Sequence, residues 1–153
     1  MTDSQPIQEA LELAGVKVLI NQSITLQRQN SQLYVAGVGD VWFKLANLTP
    51  ILTELPNRGA AILLAHEPDF ADISSSTGRF DLQLSGHSHG GQAHIPFIKR
   101  LVPHLANKYP VGQYQVGSTI QYTNRGVGMA PLHLRFNCRP EITVFTLKSL
   151  PPA

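Results

Sequence analysis

The sequence predicts an α/β fold, because strand-like apolar runs alternate with helix-like segments. Ala60–Ala65 is a continuous apolar run of strand length, which is typical of a strand covered on both faces. Phe80–Leu84 is a second such run, and a short helix is expected between them, from Pro68 to about Ser74. Both runs end close to histidines, and ligands of layered α/β folds bind outside the carboxyl ends of the strands. A length of 153 residues corresponds to a single domain.

The first third of the chain predicts a helix followed by strands. In Pro6–Ala14, apolar residues recur at three- and four-residue spacing and a glycine follows, which indicates a short helix. Val16–Ile20 has the composition of a strand. Ser23–Gln29 alternates apolar and polar residues and Leu33–Val38 is apolar, so a small antiparallel meander is expected there.

The rest of the chain predicts one more helix and more strands. Lys44–Leu55 favours a helix, in which Pro50 shifts or kinks the start. Residues 93–112 contain several prolines and are expected to form a loop. Two further strand pairs are expected: Gln113–Val116 with Thr119–Thr123, and Leu132–Phe136 with Ile142–Leu147.

Composition excludes several classes of function. The net charge is only +2 and no basic run occurs, so nucleic acid is not expected as a partner. Cys138 is the single cysteine, which excludes an internal disulfide. Met1–Gln5 lacks the basic and apolar regions of a signal peptide. Ala60–Ala65 is the longest apolar run and is far shorter than the roughly 18 residues that span a membrane. A cytoplasmic location is therefore expected.

The segment Gly86–Gln92, with the sequence Gly-His-Ser-His-Gly-Gly-Gln, is the candidate functional motif. Its residues His87 and His89 lie two apart directly after a strand, so in extended chain both imidazoles leave the backbone on the same side. His66 follows the other apolar strand. Imidazole binds zinc, iron, nickel and copper, while carboxylates also favour manganese. The sequence therefore predicts His66, His87 and His89 as metal ligands.

The other candidate side chains have simpler explanations. A lone histidine is more often structural than a ligand, and this interpretation is favoured for His104, His133 and His94. Glu67 and Asp69 offer acceptors for the second N–H of a ligating imidazole. They also resemble an acidic pair at a helix N-terminus, and a helix cap is the favoured role for Asp69.

Two segments resemble the calcineurin-like metallophosphoesterases: Leu64–Asp69 and, more specifically, Phe80–Gln92 with its Gly-His-Ser-His-Gly-Gly-Gln motif. The resemblance is greatest to the bacterial branch that includes membrane-associated phosphodiesterases and lipid-sugar pyrophosphate hydrolases. It spans almost all of the 153 residues. Supporting segments are Gly15–Leu19, Val35–Asp40, Asn124–Gly128 and Arg139–Ile142.

The resemblance implies a fold, a reaction and a cofactor. The fold is a sandwich of two mixed β-sheets flanked by helices. The reaction is hydrolysis of a phosphoester or pyrophosphate bond, in a phosphorylated small molecule or a lipid-linked substrate. The cofactors are divalent metal ions (Mn, Fe or Zn), two in the complete domain, which clamp the phosphoryl group. His66 and His87 would bind one metal and His89 the other.

Motifs of the first half of that family are missing. No Asp-X-His or Gly-Asn-His occurs, and Phe43 stands where the second aspartate of Gly-Asp-X-X-Asp would follow Gly39–Asp40. Residues 1–153 are therefore interpreted as a single partial domain, the C-terminal half of the sandwich. The general acid cannot be assigned, because the family's candidate lies in the other half. Asp40 and His94 are candidates for the substrate rim.

The missing motifs lead to further expectations. Neutral histidines do not offset the charge of two divalent cations, so the chain alone should bind at most one metal, weakly. A sandwich without its leading strands should expose an apolar edge and associate. An N-terminal half as a separate fragment is a candidate partner, and a peripheral membrane contact stays open. The alternatives are a catalytically silent fragment and a mononuclear metal-binding module.

Overall fold

A computed structural model describes residues 4–98, 101–129 and 133–148. The strands are β1 (Gln22–Arg28), β2 (Ser31–Gly37), β3 (Ala61–Leu64), β4 (Leu82–Ser85), β5 (Gly112–Val116) and β6 (Thr119–Thr123). The helices are α1 (Gln5–Leu13), α2 (Thr49–Glu54) and α3 (Ala71–Ser76), with short 3₁₀ turns at Pro68–Phe70 and His89–Gly91. The predicted α/β class is confirmed, because these elements form a mixed sheet flanked by helices.

The six strands form one sheet in the order β1-β2-β3-β4-β6-β5. The neighbours from β2 through β3 and β4 to β6 are parallel, whereas β1 and β5 are antiparallel edge strands. Parallel neighbours end at the same edge of a sheet. The loops that follow β2, β3, β4 and β6 therefore emerge side by side, and the candidate histidines lie in two of these loops.

One face of the sheet carries the core. Helix α2 contributes Ile51, which is fully buried, and Phe70 of the first 3₁₀ turn packs on the same face. Leu63 of β3 and Phe80 lie beneath them and are at most 2% exposed. The remaining buried members of this cluster are Tyr34, Ala36, Leu55, Ala61 and Ala65. This packing accounts for the apolar run that predicted β3.

The other face of the sheet is also apolar but much less covered. Val35, Ile62, Leu82 and Ile120 stand in register on four neighbouring strands and are only half-buried. Leu64 lies on the same face and is 40% exposed. The continuous apolar run Ala60–Ala65 had indicated a strand covered on both faces, whereas the described residues cover one face well and leave the other largely open.

Two elements of the structure differ from those that the sequence predicted. Val16–Ile20 is not a strand. It passes so close to β2 that a Cβ on Gly37 would lie 2.6 Å from the carbonyl oxygen of Leu19, and it lacks a ladder partner in the described structure. The helix expected over Lys44–Leu55 begins only at Thr49, with a proline in its first turn as the pattern suggested.

The last predicted strand pair is absent from the described residues. Leu132 lies outside them, and Phe136 forms only an isolated bridge with Ala93. Ile142 and Val144 are more than 80% exposed, while Thr143 between them is half-buried and its hydroxyl contacts the Tyr122 hydroxyl at 2.8 Å. Side chains alternate as in a strand only over residues 141–144, whereas residues 145–148 are all exposed. No neighbouring strand in the described structure completes a ladder.

Leu63 and Leu64 allow the two faces of the sheet to be compared within one strand. We expect Leu63→Ala to lower the free energy of unfolding by about 2–5 kcal/mol, since it opens a cavity in a packed core. The matched control Leu64→Ala should cost less than about 1 kcal/mol, because its side chain is already partly hydrated. Urea unfolding monitored by circular dichroism measures both, and equal losses would contradict the assignment of the covered face.

Candidate metal centre

His66 and His87 follow the ends of neighbouring parallel strands. His66 lies two residues beyond β3 and His87 two residues beyond β4. Backbone hydrogen bonds join the chains at and just past the strand ends, since Ala65 N–H donates to Leu84 C=O at 3.1 Å and Gly86 N–H donates to His66 C=O at 3.1 Å. The two loops therefore leave the sheet side by side and carry the imidazoles to the same place.

The two imidazoles face each other through ring nitrogens. His87 Nδ1 lies 3.2 Å from His66 Nε2, and the ring centroids are 4.9 Å apart. Two nitrogens that bind one Zn²⁺ at about 2.0–2.1 Å in tetrahedral geometry are roughly 3.3 Å apart. The observed pair has the separation of two ligands on one metal ion, which is also the separation of a direct hydrogen bond between the two rings.

A backbone carbonyl fixes the tautomer of His87. His87 Nε2 lies 2.8 Å from the carbonyl oxygen of His104. A carbonyl only accepts hydrogen bonds, so Nε2 carries the hydrogen and Nδ1 of the neutral ring carries the lone pair. That lone pair is directed toward His66. A second N–H bound to a carbonyl is the arrangement that orients most metal-binding histidines.

The electrostatic surroundings keep His66 neutral. Desolvation lowers the pKa of His66, and the neighbouring His87 lowers it further, with a smaller effect from His89. The carboxylates of Glu67 and Asp40 act in the opposite direction without reversing the shift. A lowered pKa means that the uncharged imidazole predominates at neutral pH, which is the form that binds metal.

The Gly86–Gln92 segment folds into a tight, left-handed turn. His87 (φ 66°), His89 (φ 48°) and Gln92 (φ 51°) all have positive φ, as do Gly90 and Gly91. Residues other than glycine adopt such angles at a cost that surrounding contacts must offset, and they cluster at functional sites. The turn therefore departs from the extended chain assumed in the sequence argument.

Contacts from Arg135 and Cys138 hold this turn in place. The Cys138 thiol lies 3.4 Å from the His89 carbonyl oxygen, and the Arg135 guanidinium donates to the carbonyls of Arg125 and Gly128 as well as to His89 C=O. A Cβ on Gly90 would approach Cys138 Sγ to 2.6 Å. Only glycine fits there, which explains part of the glycine content of the motif.

His89 lies beside the histidine pair without joining it. Its Nδ1 is 3.4 Å from the carbonyl oxygen of Gly128. Within residues 4–98, 101–129 and 133–148, no group of three His, Cys, Asp or Glu side chains is arranged to hold a metal ion. The structure thus brings His66 and His87 together, and His89 as a further ligand stays a prediction.

The two predicted rim residues lie in different surroundings. Asp40 follows β2, accepts the Phe43 N–H at 2.8 Å and acts electrostatically on His66, so it lies near the histidine pair. His94 is exposed and lies beyond the motif, where its N–H donates to Phe136 C=O. Lys99 and Arg100 also follow the motif and are basic, so the sequence leaves contact with an anionic substrate open for them, although it favours a solvated loop; they lie outside the described residues.

Some contacts near the site were not predicted from the sequence. The Trp42 ring lies edge-on to both His87 and His104, with centroid distances of 5.8 and 5.6 Å. The favoured role of Asp69 as a helix cap is wrong: its carboxylate instead accepts backbone N–H groups of the distant segment 107–109. No local pattern signals these contacts, because their partners are far apart in the sequence.

Sequence comparison with known proteins identifies relatives of this chain. No family model matches the sequence, and no solved structure matches it. The chain is 45% identical over 120 residues to the metallophosphoesterase YkuE of Bacillus subtilis, covering 78% of this chain and 42% of YkuE. It is 36% identical over 143 residues to the phosphodiesterase YaeI of Escherichia coli, covering 92% of this chain and 51% of YaeI.

A third relative agrees with these two. The metallophosphoesterase Cj0846 of Campylobacter jejuni is 34% identical over 155 residues, covering 93% of this chain and 38% of Cj0846. The chain thus spans about half the length of the curated relatives it matches. The matched region extends over most of the chain, and the paired histidines lie at the strand ends where the sequence motif had indicated a metal site. The chain belongs to the calcineurin-like metallophosphoesterases.

Proposed function

We propose that this chain supplies the histidine ligands of a dinuclear centre that hydrolyses phosphoester or pyrophosphate bonds. The observation that carries the proposal is the separation of 3.2 Å between His87 Nδ1 and His66 Nε2 at the carboxyl edge of parallel strands. The printed names of the relatives, metallophosphoesterase and phosphodiesterase, support this reaction class.

In this proposal His66 and His87 hold one divalent metal and His89 contributes to the second. Manganese, iron and zinc all suit a site of imidazoles completed by carboxylates. When bound, such metals polarise phosphoryl oxygens and lower the pKa of a bound water. This chain's own residues set the position and tautomer of the histidines, and a general acid is not assigned.

The carboxylate ligands are proposed to come from an N-terminal half, in the same polypeptide or as a separate fragment. Two features of the chain support this. The apolar row Val35, Ile62, Leu82 and Ile120 is only half-buried, as expected of a sheet face that lacks a covering layer. A groove of about 390 Å³ also opens beside His66, where further ligands have room to approach.

The proposed substrate is a phosphorylated small molecule or a lipid-linked phosphate, with Asp40 and His94 at the rim. We propose a cytoplasmic location with peripheral contact to a membrane for the lipid-linked case. Among the described residues, no helix has the length and apolar character needed to cross a bilayer.

A mononuclear metal-binding module is the second candidate. It is favoured by the isolated histidine pair, since a third ligand is not assembled around it within the described parts of the chain. A catalytically silent fragment would share this property. The two experiments below separate these cases from the dinuclear enzyme.

Removing either paired histidine should weaken metal binding. We expect His66→Ala and His87→Ala to lower the affinity of the full chain for Zn²⁺ or Co²⁺ by at least about tenfold, because loss of an outer-shell partner alone costs about 10–100-fold. His133→Ala is the control, since His133 is exposed. Competition titration with a chromogenic chelator gives the affinities. Unchanged affinity in both variants would exclude the pair as ligands.

Supplying the missing half should restore hydrolysis. We expect the full chain mixed with the part of YkuE outside the matched region to cleave bis-p-nitrophenyl phosphate in the presence of Mn²⁺, while each component alone does not. A mixture that contains the His87→Ala variant is the control and should stay inactive. A stable complex without hydrolysis would indicate a silent fragment, and hydrolysis by the isolated chain would contradict the need for a second half.

A further inference from the structure

We propose that Asp69 is a positioning residue for His87, which it orients through a loop without touching the ring. The inference rests on the proposed role of His87 as a metal ligand and adds to it a residue that controls how the imidazole is presented. It is built from three connected contacts. Asp69 accepts hydrogen bonds from the loop backbone, a backbone hydrogen bond within the loop forms a turn, and a carbonyl in that turn accepts a hydrogen bond from His87.

The first contact is the capture of a backbone segment by one carboxylate. Asp69 Oδ2 accepts the N–H of Asn107 at 2.9 Å, and Oδ1 accepts the N–H groups of Lys108 and Tyr109 at 3.1 and 3.2 Å. The N–H of Asp69 itself donates to Leu105 C=O at 3.0 Å. A charged acceptor that receives several backbone donors forms strong, geometrically defined hydrogen bonds. One residue thus fixes the path of the segment 105–109.

The second contact carries that constraint to His104. Ala106 is fully buried and its N–H donates to Pro103 C=O at 3.2 Å. His104 lies within this turn, directly before the segment that Asp69 holds. The orientation of the His104 carbonyl therefore depends on the position of the backbone segment that Asp69 holds.

The third contact is the hydrogen bond between the His87 Nε2–H and the His104 carbonyl, at 2.8 Å. It selects the tautomer whose Nδ1 lone pair is directed toward His66. Trp42 limits the ring only by an edge contact, which does not distinguish the two ring nitrogens. If the carbonyl moves away, the imidazole is free to rotate or to change tautomer, and its lone pair is no longer held toward the metal position.

Asp72 provides a matched control within the same part of the chain. It lies on α3 and also reaches the captured segment, but its carboxylate bonds the Lys108 ammonium and the Tyr109 hydroxyl, both of them side-chain groups. Removing it takes away a neighbouring negative charge and two contacts while leaving the capture of the backbone by Asp69 intact. A general effect of charge or of loop stability should therefore appear in both variants, whereas the orientation of His87 should depend on Asp69 alone.

The decisive measurement is the tautomer of His87 in the metal-free full chain, read from the ¹⁵N shifts of its ring nitrogens at a pH where the imidazole is neutral. We expect the wild type and Asp72→Ala to show the hydrogen on Nε2. Asp69→Ala should show a mixture of tautomers, and Asp69→Asn, which keeps one oxygen acceptor, an intermediate shift. Circular dichroism and urea unfolding establish that each variant is folded, and Asp69→Asn decides the case if Asp69→Ala does not fold.

Unchanged ring shifts in a folded Asp69 variant would overturn the proposal, as would an equal change in Asp72→Ala. Metal affinity gives an independent readout: Asp69→Ala should bind Co²⁺ about 10–100-fold more weakly than Asp72→Ala, the range found for partners that orient ligands. If the wild type binds no metal, the proposed function fails while the ring shifts still test Asp69. If Asp69→Ala binds as tightly as Asp72→Ala, this inference fails and the proposed function stands.

Discussion

The candidate site depends on the parallel register of β3 and β4. Leu64 pairs with Leu84, and past the strand ends the Gly86 N–H donates to the His66 carbonyl. Side chains of a strand alternate between faces with a period of two. In this register His66 is opposite Gly86, so extended chain alone would send His87 to the other face. His87 instead has a left-handed conformation, with φ of 66°. The histidine pair is therefore a product of strand pairing together with the turn that follows β4.

The same sheet is the reason why a partner layer is proposed. Its apolar row on the open face lacks hydrophobic burial, and the neutral imidazoles proposed as ligands lack the negative charge that attracts metal ions. Two divalent cations placed near neutral imidazoles repel each other unless carboxylates lie between them. A single additional layer that covers the open face and brings carboxylates to the edge near His66 would meet both deficits, which is the physical argument for a second half.

The sequence predicted the elements whose partners are local or whose burial is strong. The hairpins β1–β2 and β5–β6, the buried strands β3 and β4, and the closeness of His66 to His87 all followed from apolar runs and strand ends. The strand predicted at Ile142–Leu147 is wrong, because no neighbouring strand in the described structure pairs with this segment. The contacts of Asp69 and the edge contacts of Trp42 with His87 and His104 were missed because they join loops brought together only by the folded sheet.

Glu67 and Asp69, the acidic residues that follow His66, are not spare metal ligands. Glu67 is 1% exposed, and its two carboxylate oxygens each accept a backbone N–H at 3.2 Å, from Val41 and Trp42. The Asp69 oxygens are engaged by the segment 107–109 in the same way. A buried carboxylate that gave up these donors would leave N–H groups unsatisfied, at a cost of about 1–3 kcal/mol for each group. Both acids thus act on loops near His87, and neither is free to serve as a carboxylate ligand of the proposed metal centre.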